Sequence, residues 1–578
     1  MTKMTYSEIL SENNRLAEEL KDQPMYTIAV LSNITVNQIK EILEYYLRSN
    51  KINAQVDVGN YDNIVQDSIR FKNHKLVIVF WEISNLIDGL QYKSELMTDI
   101  EITEIIDKIK SEINFVLENL KSVQSIIWNK FSNIVFNRYN IEPNNLDRIC
   151  NELNMYMKAT DCSNVSVIDI EKVFANLSID KAVDLRYFYA AKALYTIDFY
   201  KAYVEFILPI PLSLLGRTKK ALIFDCDNTL WKGILGEDGF NQIIMSSKQK
   251  GGTPYEEVQT LALSLQKKGI LLCLCSKNNA PDVDEVFEKN PYMKIRNKHL
   301  SLKMINWNDK VSNLREIQRV LNIGFDSFVY IDDSDFELEF INRILPDVTT
   351  VKVPQKIFYY PIAIREVINL FYSQTLSPED IRRGEMYRDQ KKRANLKISH
   401  KSLIDYLRAL EMRMNVFVNE KSHLSRISQM TQKTNQFNLT TKRYTEKEIL
   451  SFIENPNVDI FSISVSDKIG DSGITGLAIV FKKNQVAHFD TFLMSCRIIG
   501  RNIEYTFFDF IIDFLKRIKI KKITAEYIKT TKNGQVNDLF DRLNFQVKIK
   551  NDYFSKYELN IDNYKKSDVN YIKINHAK

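Results

Sequence analysis

The sequence predicts an α/β protein with several domains, and three observations support this fold class. At 578 residues the chain is too long for one hydrophobic core, and three domains is the natural expectation. Apolar runs such as 25–32, 76–81 and 221–224 are continuous, which is typical of parallel strands covered on both faces. Segments with helical spacing, such as 36–49, separate these runs. We therefore expect βα units with helices on both faces of parallel sheets.

Composition and charge exclude several functional classes. Apolar residues make up 44% of the chain and charged residues 26%, as in an ordinary globular protein and not a disordered one. The net charge of +6 comes from 79 basic and 73 acidic residues with interleaved signs, short of the basic stripe that nucleic-acid binding requires. The sequence contains no run of about 18 consecutive apolar residues, the length that a membrane-spanning helix needs. We expect neither a nucleic-acid partner nor a membrane span.

Cysteine usage and the first residues bear on the cellular compartment. Cysteines occur at positions 150, 162, 226, 273, 275 and 496, without CxxC pairs or zinc-like histidine spacing. This pattern suits a reducing environment. Residues 1–20 read as a mixed-charge amphipathic helix and not as a signal peptide. The expected localisation is cytoplasmic.

Prolines that interrupt the predicted elements, and changes in the order of helices and strands, indicate the domain boundaries. The first domain, 1–215, is α/β and ends near Pro209 and Pro211. The second, 216–376, opens with the apolar run 221–224 and continues in βα units. The third, 377–578, mixes strands and helices in an order that predicts an α+β fold.

The string LIFDCDNTLWKGILGEDG at 222–239 carries the strongest chemical signal. An apolar strand ends there at Asp225 and Asp227, with Thr229 close behind. Strands of open α/β sheets bind ligands at their carboxyl ends. Two neighbouring acids repel one another unless a proton or a cation lies between them, and Mg²⁺ prefers such oxygen ligands. The alternative is a strand followed by an Asx-type turn.

Further polar signals follow later apolar strands in a chemically consistent order. They are Ser276 with Lys277 and Asn278, then Lys310 in the string WNDK, and then the pair Asp332 and Asp333. A serine hydroxyl can bind a phosphoryl oxygen, a lysine can neutralise it, and an acid pair can complete an Mg²⁺ site. Phosphoryl transfer requires little beyond a nucleophile, a metal, positive charge and an acid for the leaving group. Each signal alone is more often a turn or surface feature.

The order of these signals resembles the four motifs of the haloacid dehalogenase-like (HAD) superfamily: DxDx[TV], a strand-terminal Ser/Thr, a Lys and a DD pair. The resemblance implies that Asp225 attacks phosphorus and forms an aspartyl-phosphate. It implies that Asp227 protonates the leaving oxygen and then activates water. It implies that Ser276 and Lys310 bind the phosphoryl group, and Thr229, Lys277 and Asn278 are also assigned to substrate. The implied Mg²⁺ ligands are Asp225, the Asp227 carbonyl and Asp333, supported by Asp332.

The motif spacing predicts a capless Rossmannoid domain. Only 48 residues separate Asp227 from Ser276, and 33 separate Ser276 from Lys310. Neither interval holds a large cap domain in addition to the required helices. An open site suits a bulky substrate such as one tethered to a protein, although a neighbouring domain is an alternative source of a lid.

Three strings resemble the FkbH-like family, which joins such a phosphatase domain to a C-terminal acyltransferase-like domain. They are WKGILGEDG at 231–239, TNQFNLTTKRYT at 434–445 and DTFLMSCRIIGRNIE at 490–504. The resemblance covers roughly residues 220–545 and implies a glyceryl transferase/phosphatase of polyketide biosynthesis. Such an enzyme takes a glyceryl unit from 1,3-bisphosphoglycerate, releases phosphate, and loads the unit on the phosphopantetheine thiol of an acyl carrier protein. The alternative is a HAD-type phosphatase acting on a sugar or glycerol phosphate in surface polysaccharide biosynthesis.

The string RIIGRN at 497–502 nearly matches R-x-x-G-x-[GA], the turn with which acetyltransferase-like (GNAT) folds receive the CoA pyrophosphate at a helix N-terminus. On this basis Arg497, Gly500 and Arg501 are expected to bind the phosphate of the carrier's arm. Asn502 departs from the small residue that ends the pattern. The alternative is a plain strand–turn–helix connection.

Cys496 directly precedes this turn, beside Arg497 and near a helix N-terminus, two features that lower the pKa of a thiol. We hypothesise that Cys496 transiently carries the glyceryl group as a thioester. The alternative is a small buried apolar residue. The amides of Asn435, Gln436 and Asn438 are expected to bind a polyol or carboxylate, or else to form a turn-rich loop.

The first domain resembles a degenerate SGNH-hydrolase-like fold. Ser32 ends the first apolar run, where a nucleophile of that fold would lie. No GDS string follows, and no DxxH pair appears late in the domain. We interpret this domain as structural or as a docking site for the carrier protein.

Overall fold

The computed structural model describes residues 4–576 except 161, 163, 374–378, 380, 381, 401 and 531. The chain divides into two compact units, Met1–Pro211 and Leu212–Lys578. The expected boundary at 376/377 lies outside the described residues, so the division of the second unit into two domains stays a prediction. Among the helices that the structure describes, none has the length and apolar character needed to cross a lipid bilayer.

Strands are labelled β1–β19 in chain order. They are β1 Tyr26–Ser32, β2 Ala54–Val58, β3 Leu76–Phe80, β4 Ser125–Asn129, β5 Val165–Ile168, β6 Ala221–Phe224, β7 Leu271–Ser276, β8 Leu300–Ile305, β9 Phe328–Asp332, β10 Thr349–Lys352, β11 Arg413–Val418, β12 Phe437–Asn438, β13 Val458–Ser466, β14 Asp471–Lys483, β15 Val486–Met494, β16 Lys522–Ile528, β17 Gln546–Lys550, β18 Phe554–Asn560 and β19 Lys573–His576.

The α-helices of the described residues connect these strands. Their bounds are Tyr6–Leu20, Ile39–Ser49, Ile64–Arg70, Leu90–Lys93, Asp99–Asn119, Ile134–Asn137, Asn145–Ala159, Glu171–Leu177, Ile179–Ala182, Leu185–Ala191, Ile197–Ile207, Pro209–Leu214, Leu235–Asp238, Thr253–Lys267, Ala280–Lys289, Lys310–Leu321, Asp335–Ile344, Tyr360–Ile368, Arg383–Ile398, Leu403–Ala409, Leu424–Lys433, Glu446–Glu454, Ile503–Arg517 and Leu539–Arg542.

The first unit contains a parallel sheet with the order β2-β1-β3-β4-β5. Every residue of β3 and β4 is buried, which explains why their sequences are continuous apolar runs. The structure confirms the α/β class predicted from these runs. The SGNH-like interpretation of this unit stays a prediction.

The second unit contains a parallel sheet with the order β10-β9-β6-β7-β8. The central strand β6 has β7 on one side and β9 on the other, so the strand order reverses beside it. Successive β6 residues point to opposite faces, with Leu222 and Phe224 in one apolar cluster and Ala221 and Ile223 in the other. Such a switch point is where open α/β sheets bind ligands.

A second, mixed sheet of this unit has the order β17-β18-β16-β15-β14-β13-β11-β19, with β12 beside β15. The parallel strands β15 and β16 pair only over Val486–Phe489 and Lys522–Ala525. Beyond that point β12 pairs with β15, and the Ile528 N–H donates to the Leu439 carbonyl at 2.8 Å. Residues 437–439 therefore fill the gap where β15 and β16 diverge.

Candidate active site

Asp225 and Ser276 meet at the carboxyl edge of the parallel sheet of the second unit. Asp225 follows β6 directly and is 6% exposed, and Ser276 ends the neighbouring strand β7 and is also buried. Their side chains are hydrogen-bonded. The register of β6 on β7 pairs Phe224 with Leu274, and this pairing brings the two strand ends together.

Lys310 connects this pair to β9. It is the first residue of the helix Lys310–Leu321, which is capped by the Asp309 side chain. Its buried ammonium lies 3.0 Å from Asp225 Oδ1 and 2.5 Å from Asp332 Oδ2. Burial alone would lower the pKa of Lys310, but the two carboxylates raise it overall, so the side chain stays charged.

Asp332 and Asp333 complete an acidic cluster with Asp225. Asp332 ends β9, is fully buried, and accepts hydrogen bonds from the Tyr330 hydroxyl at 2.5 Å and the Ser334 N–H at 2.9 Å. One carboxylate oxygen from each of the three acids lies within 4.8 Å of the others. Three carboxylates facing one ammonium leave negative charge that favours a cation, and an all-oxygen donor set fits Mg²⁺.

The electrostatics of the cluster agree with this excess of negative charge. Burial raises the pKa of Asp225 to about 7, with Lys310 opposing the shift and Asp332 adding to it. Burial, and then the charge of Asp332, raises the pKa of Asp333. Without a cation, Asp225 and Asp333 are therefore protonated more readily than exposed carboxyl groups.

The Asp227 carboxylate is held by three donors. Its Oδ1 accepts from the Trp231 indole N–H at 2.9 Å and from the Leu235 N–H at 3.0 Å, and its Oδ2 accepts from the Asn278 amide at 2.9 Å. Burial raises the pKa of Asp227, and these donors oppose the shift. The side chain is thus fixed in one orientation, outside the three-acid cluster.

Three residues assigned to substrate have other surroundings. Thr229 is fully buried, and its hydroxyl has no hydrogen-bond partner among the described residues, so its contact with a substrate stays a prediction. Lys277 forms an ion pair with Glu337 at 2.6 Å. Asn278 is buried and its amide donates to Asp227, so it orients that carboxylate, and its contact with substrate stays a prediction.

Sequence reasoning missed Tyr330, Trp231 and Glu337. Tyr330 lies two residues before Asp332, and alternate residues of a strand share a face, so this contact follows from the period of β9. Trp231 lies in the same string as Asp227, but nothing in that string predicts its indole hydrogen bond. The Glu337 contact joins separate βα units and leaves no local signal.

Cys496 lies away from this cluster, at the opposite edge of the same sheet. It borders a cavity of about 350 Å³ that is also lined by residues directly preceding three strands: Lys219 and Lys220 before β6, Ile270 before β7, and Asp326 and Ser327 before β9. Parallel strands present their amino ends at one edge and their carboxyl ends at the other. The four residues of β6, about 13 Å of strand, thus separate the Cys496 side from the Asp225 side.

The predicted phosphate-binding turn has mixed outcomes. The turn precedes the helix Ile503–Arg517 as expected, with Gly500 exposed at a φ of 80°. Arg501 is only 3% exposed and its guanidinium binds Asp467 at 3.1 Å and Gln390 at 2.9 Å, so it links the turn to these residues, and phosphate binding by it stays a prediction. Arg497 is 8% exposed, borders the cavity, and donates to Ser495 Oγ at 3.1 Å.

The three residues with amide side chains, Asn435, Gln436 and Asn438, also differ in their surroundings. Asn438 is fully buried, donates to the Thr434 carbonyl at 3.1 Å and accepts from the Thr441 N–H at 2.9 Å, so it stabilises the loop, and ligand binding by it stays a prediction. Asn435 and Gln436 border the cavity with Cys496. The Gln436 Oε1 atom is buried without a hydrogen-bond partner among the described residues.

Solved structures give one comparison that bears on the fold. The N-terminal part of the protein BF1531 from Bacteroides fragilis, which contains a phosphatase domain and was crystallised with Mg, has a TM-score of 0.56 and 22% identity, covering 64% of this chain and 100% of that chain. At this identity the likeness shows the fold alone. It supports the α/β fold of this chain.

A second group of structures resembles the chain over a shorter stretch. The ribosomal-protein-S18-alanine N-acetyltransferase from Escherichia coli covers 27% of this chain and 97% of its own, with 13% identity and a TM-score of 0.22. At this TM-score the likeness does not establish the fold of the mixed sheet. No protein-family model and no curated protein sequence matches the chain.

Proposed function

We propose that the protein is a Mg²⁺-dependent phosphatase in which Asp225 is the nucleophile. The observation that supports this most is the meeting of Asp225, Ser276, Lys310 and the pair Asp332–Asp333 at one sheet edge, from four separate segments. Mg²⁺, held by Asp225, Asp333 and the Asp227 carbonyl with Asp332 in support, would neutralise charge on the phosphoryl oxygens.

In the proposed reaction, Asp225 Oδ attacks phosphorus while the bond to the leaving oxygen breaks, and Asp227 gives that oxygen a proton. Asp227 then takes a proton from water, which hydrolyses the aspartyl-phosphate and regenerates Asp225. Lys310 and Ser276 hold the phosphoryl group and orient the nucleophile. The raised pKa of Asp227 brings it closer to neutral pH than that of an ordinary carboxyl, which favours a residue that both gives and takes a proton.

The specific reaction that we propose is that of a cytoplasmic glyceryl transferase/phosphatase. A thiol sulfur would attack the acyl carbon of 1,3-bisphosphoglycerate, the bond from that carbon to the phosphate oxygen would break, and phosphate would leave. The thiol would be Cys496 and then the phosphopantetheine thiol of an acyl carrier protein, and the Asp225 site would remove the remaining phosphate. The three strings at 231–239, 434–445 and 490–504 support this proposal.

A simpler second candidate is a phosphatase acting on a sugar or glycerol phosphate in surface polysaccharide biosynthesis. One observation favours it: Cys496 and Asp225 lie at opposite edges of the sheet, so a single bound substrate would not reach both.

One assay separates the two candidates. The full chain is incubated with a phosphopantetheinylated carrier protein, 1,3-bisphosphoglycerate and Mg²⁺, and the carrier is weighed by mass spectrometry. A glyceryl adduct that depends on Cys496 would support the first candidate. Phosphate release from glycerol phosphate with an unmodified carrier would support the second, and no Mg²⁺-dependent phosphate release from either substrate would contradict both.

A further inference from the structure

The cavity beside Cys496 has a lining of strongly unequal charge. Seven lysines and arginines border it, against the two acids Asp326 and Glu379. Asp326 forms an ion pair with Lys532, and Glu379 lies 4.0 Å from Arg426, so both acids already have basic partners. The remaining cations face a concave space of about 350 Å³, large enough for a small organic molecule.

Two of these cations lack an acidic partner. Neither Lys219 nor Arg497 has a carboxylate within 4.0 Å among the residues that the structure describes. Arg497 is more than nine-tenths buried, and its guanidinium donates to Met386 Sδ and Ser495 Oγ among the described residues. Burial lowers the pKa of Lys219 to about 8 and also lowers that of Arg497. Lys219 is partly buried and Arg497 almost fully, and nearby acids (Asp326 and Asp347 for Lys219, Glu379 and Asp471 for Arg497) offset these charges only in part. A bound anion would therefore stabilise both cations.

The wall also offers an uncharged polar group without a partner. The Gln436 Oε1 atom is buried and accepts no hydrogen bond among the described residues, which leaves an acceptor for a hydroxyl or amide donor. The cations and this amide border one space. A ligand that satisfies both carries a negative group and a hydroxyl or amide donor close to it.

We propose that this cavity is a second ligand site, at the amino edge of the parallel sheet, for a small organic phosphate that bears a hydroxyl or amide donor. Lys219 and Arg497 bind the phosphate, and Gln436 accepts from the donor. A phosphorylated polyol and the phosphopantetheine portion of a carrier arm share this chemistry. The site does not depend on the reaction proposed at Asp225.

Cys496 provides a local readout, because its thiol borders the cavity and is partly exposed. Alkylation of the full chain by iodoacetamide is followed by peptide mass spectrometry, with a chelator present to remove divalent cations. Glycerol 3-phosphate is expected to slow alkylation of Cys496, inorganic phosphate to slow it less, and glycerol to have no effect. Cys162, partly exposed in the other unit, is the internal control and is expected to react at an unchanged rate.

Variants test the named residues. Lys219→Met is expected to require about tenfold more glycerol 3-phosphate for equal protection, because one charge-assisted contact is lost. Lys289→Met, at an exposed site paired with Glu285, is the matched control and is expected to behave like the unmodified chain. Protection of Cys496 that is absent, or that Lys219→Met leaves unchanged, would overturn the proposal.

Two further arms separate the possible sources and sites. Coenzyme A protecting at lower concentration than glycerol 3-phosphate would point to a phosphopantetheine arm, and the reverse order would point to a free phosphorylated polyol. Asp225→Asn is expected to keep the protection of Cys496. Loss of protection in this variant would place the bound phosphate at the carboxyl edge and refute the second site, whatever the variant shows about phosphatase activity.

Discussion

The two edges of the parallel sheet in the second unit carry opposite charge. At the carboxyl edge, Asp225, Asp332 and Asp333 surround a single ammonium, that of Lys310. At the amino edge, Lys219 and Arg497 border a cavity without an acidic partner among the described residues. We propose that the first edge binds a cation and a phosphoryl group, and that the second binds a small organic phosphate. One short set of strands thus presents two different chemistries, and removal of a lysine from each edge should have opposite consequences for stability.

The largest expected effect concerns the carboxyl edge. Asp225→Asn keeps the shape of the side chain but removes the nucleophile, so Mg²⁺-dependent phosphate release is expected to fall by at least about a thousandfold. Steady-state phosphate release from glycerol 3-phosphate measures this. Asp347→Asn, at an exposed position of the same unit, is the control and should retain full activity. Equal activity of the two variants would rule out Asp225 as the nucleophile.

Removal of the cation from the carboxyl edge should destabilise the protein. Lys310→Met leaves two buried carboxylates without their ammonium, and the free energy of unfolding is expected to fall by about 3 kcal/mol. Denaturant unfolding measures this change in the absence of Mg²⁺, and Lys289→Met is the exposed control.

The same variant tests for a cation site. Mg²⁺ should raise the melting temperature of Lys310→Met more than that of the unmodified chain, because the variant cluster has greater excess negative charge. A variant as stable as the control, with no response to Mg²⁺, would show that the cluster is not balanced in this way.

The sequence predicted the carboxyl edge well because its signals are local. Each acid or serine follows an apolar strand, and parallel strands end at one edge, so Asp225, Ser276 and Asp332 were expected to meet. The amino edge was not predicted. Lys219 lies in a short basic run before a strand, and only the fold shows that it borders a cavity together with residues near 436 and 496. The contact between Arg501 and Asp467 was not predicted for the same reason, since the two residues are 34 positions apart.

A third variant tests the orientation of the proposed acid. Asn278→Ala removes a donor from the Asp227 carboxylate, and because that donor lowers the pKa of Asp227, the pKa should rise further. Activity is expected to fall about tenfold, the cost of one charge-assisted hydrogen bond. The pH profile of kcat/KM should move to higher pH. Asn342→Ala, at an exposed asparagine, is the control, and a profile that keeps its position would argue against Asp227 as the proton donor.

The smallest effect lies at the amino edge and has the opposite sign. Because Lys219 has a pKa of about 8 in the folded protein against an ordinary 10.5, the unfolded chain binds more protons between these values, and stability rises with pH across that window. Below pH 8 the charged Lys219 side chain lowers the free energy of unfolding by its full amount. Lys219→Met removes it, so the variant should be more stable than the unmodified chain by roughly 1 kcal/mol at pH 7, with the difference shrinking toward pH 10.

Denaturant unfolding at several pH values measures this difference, with Lys289→Met as the control at each. If Lys310→Met lowers the free energy of unfolding and Lys219→Met raises it, then Lys310 stabilises the fold at the carboxyl edge, whereas Lys219 destabilises it at the amino edge. A lysine that lowers the stability of the fold is expected to have a role in binding. If Lys219→Met instead destabilises the protein, this argument for an anion site at the amino edge is lost.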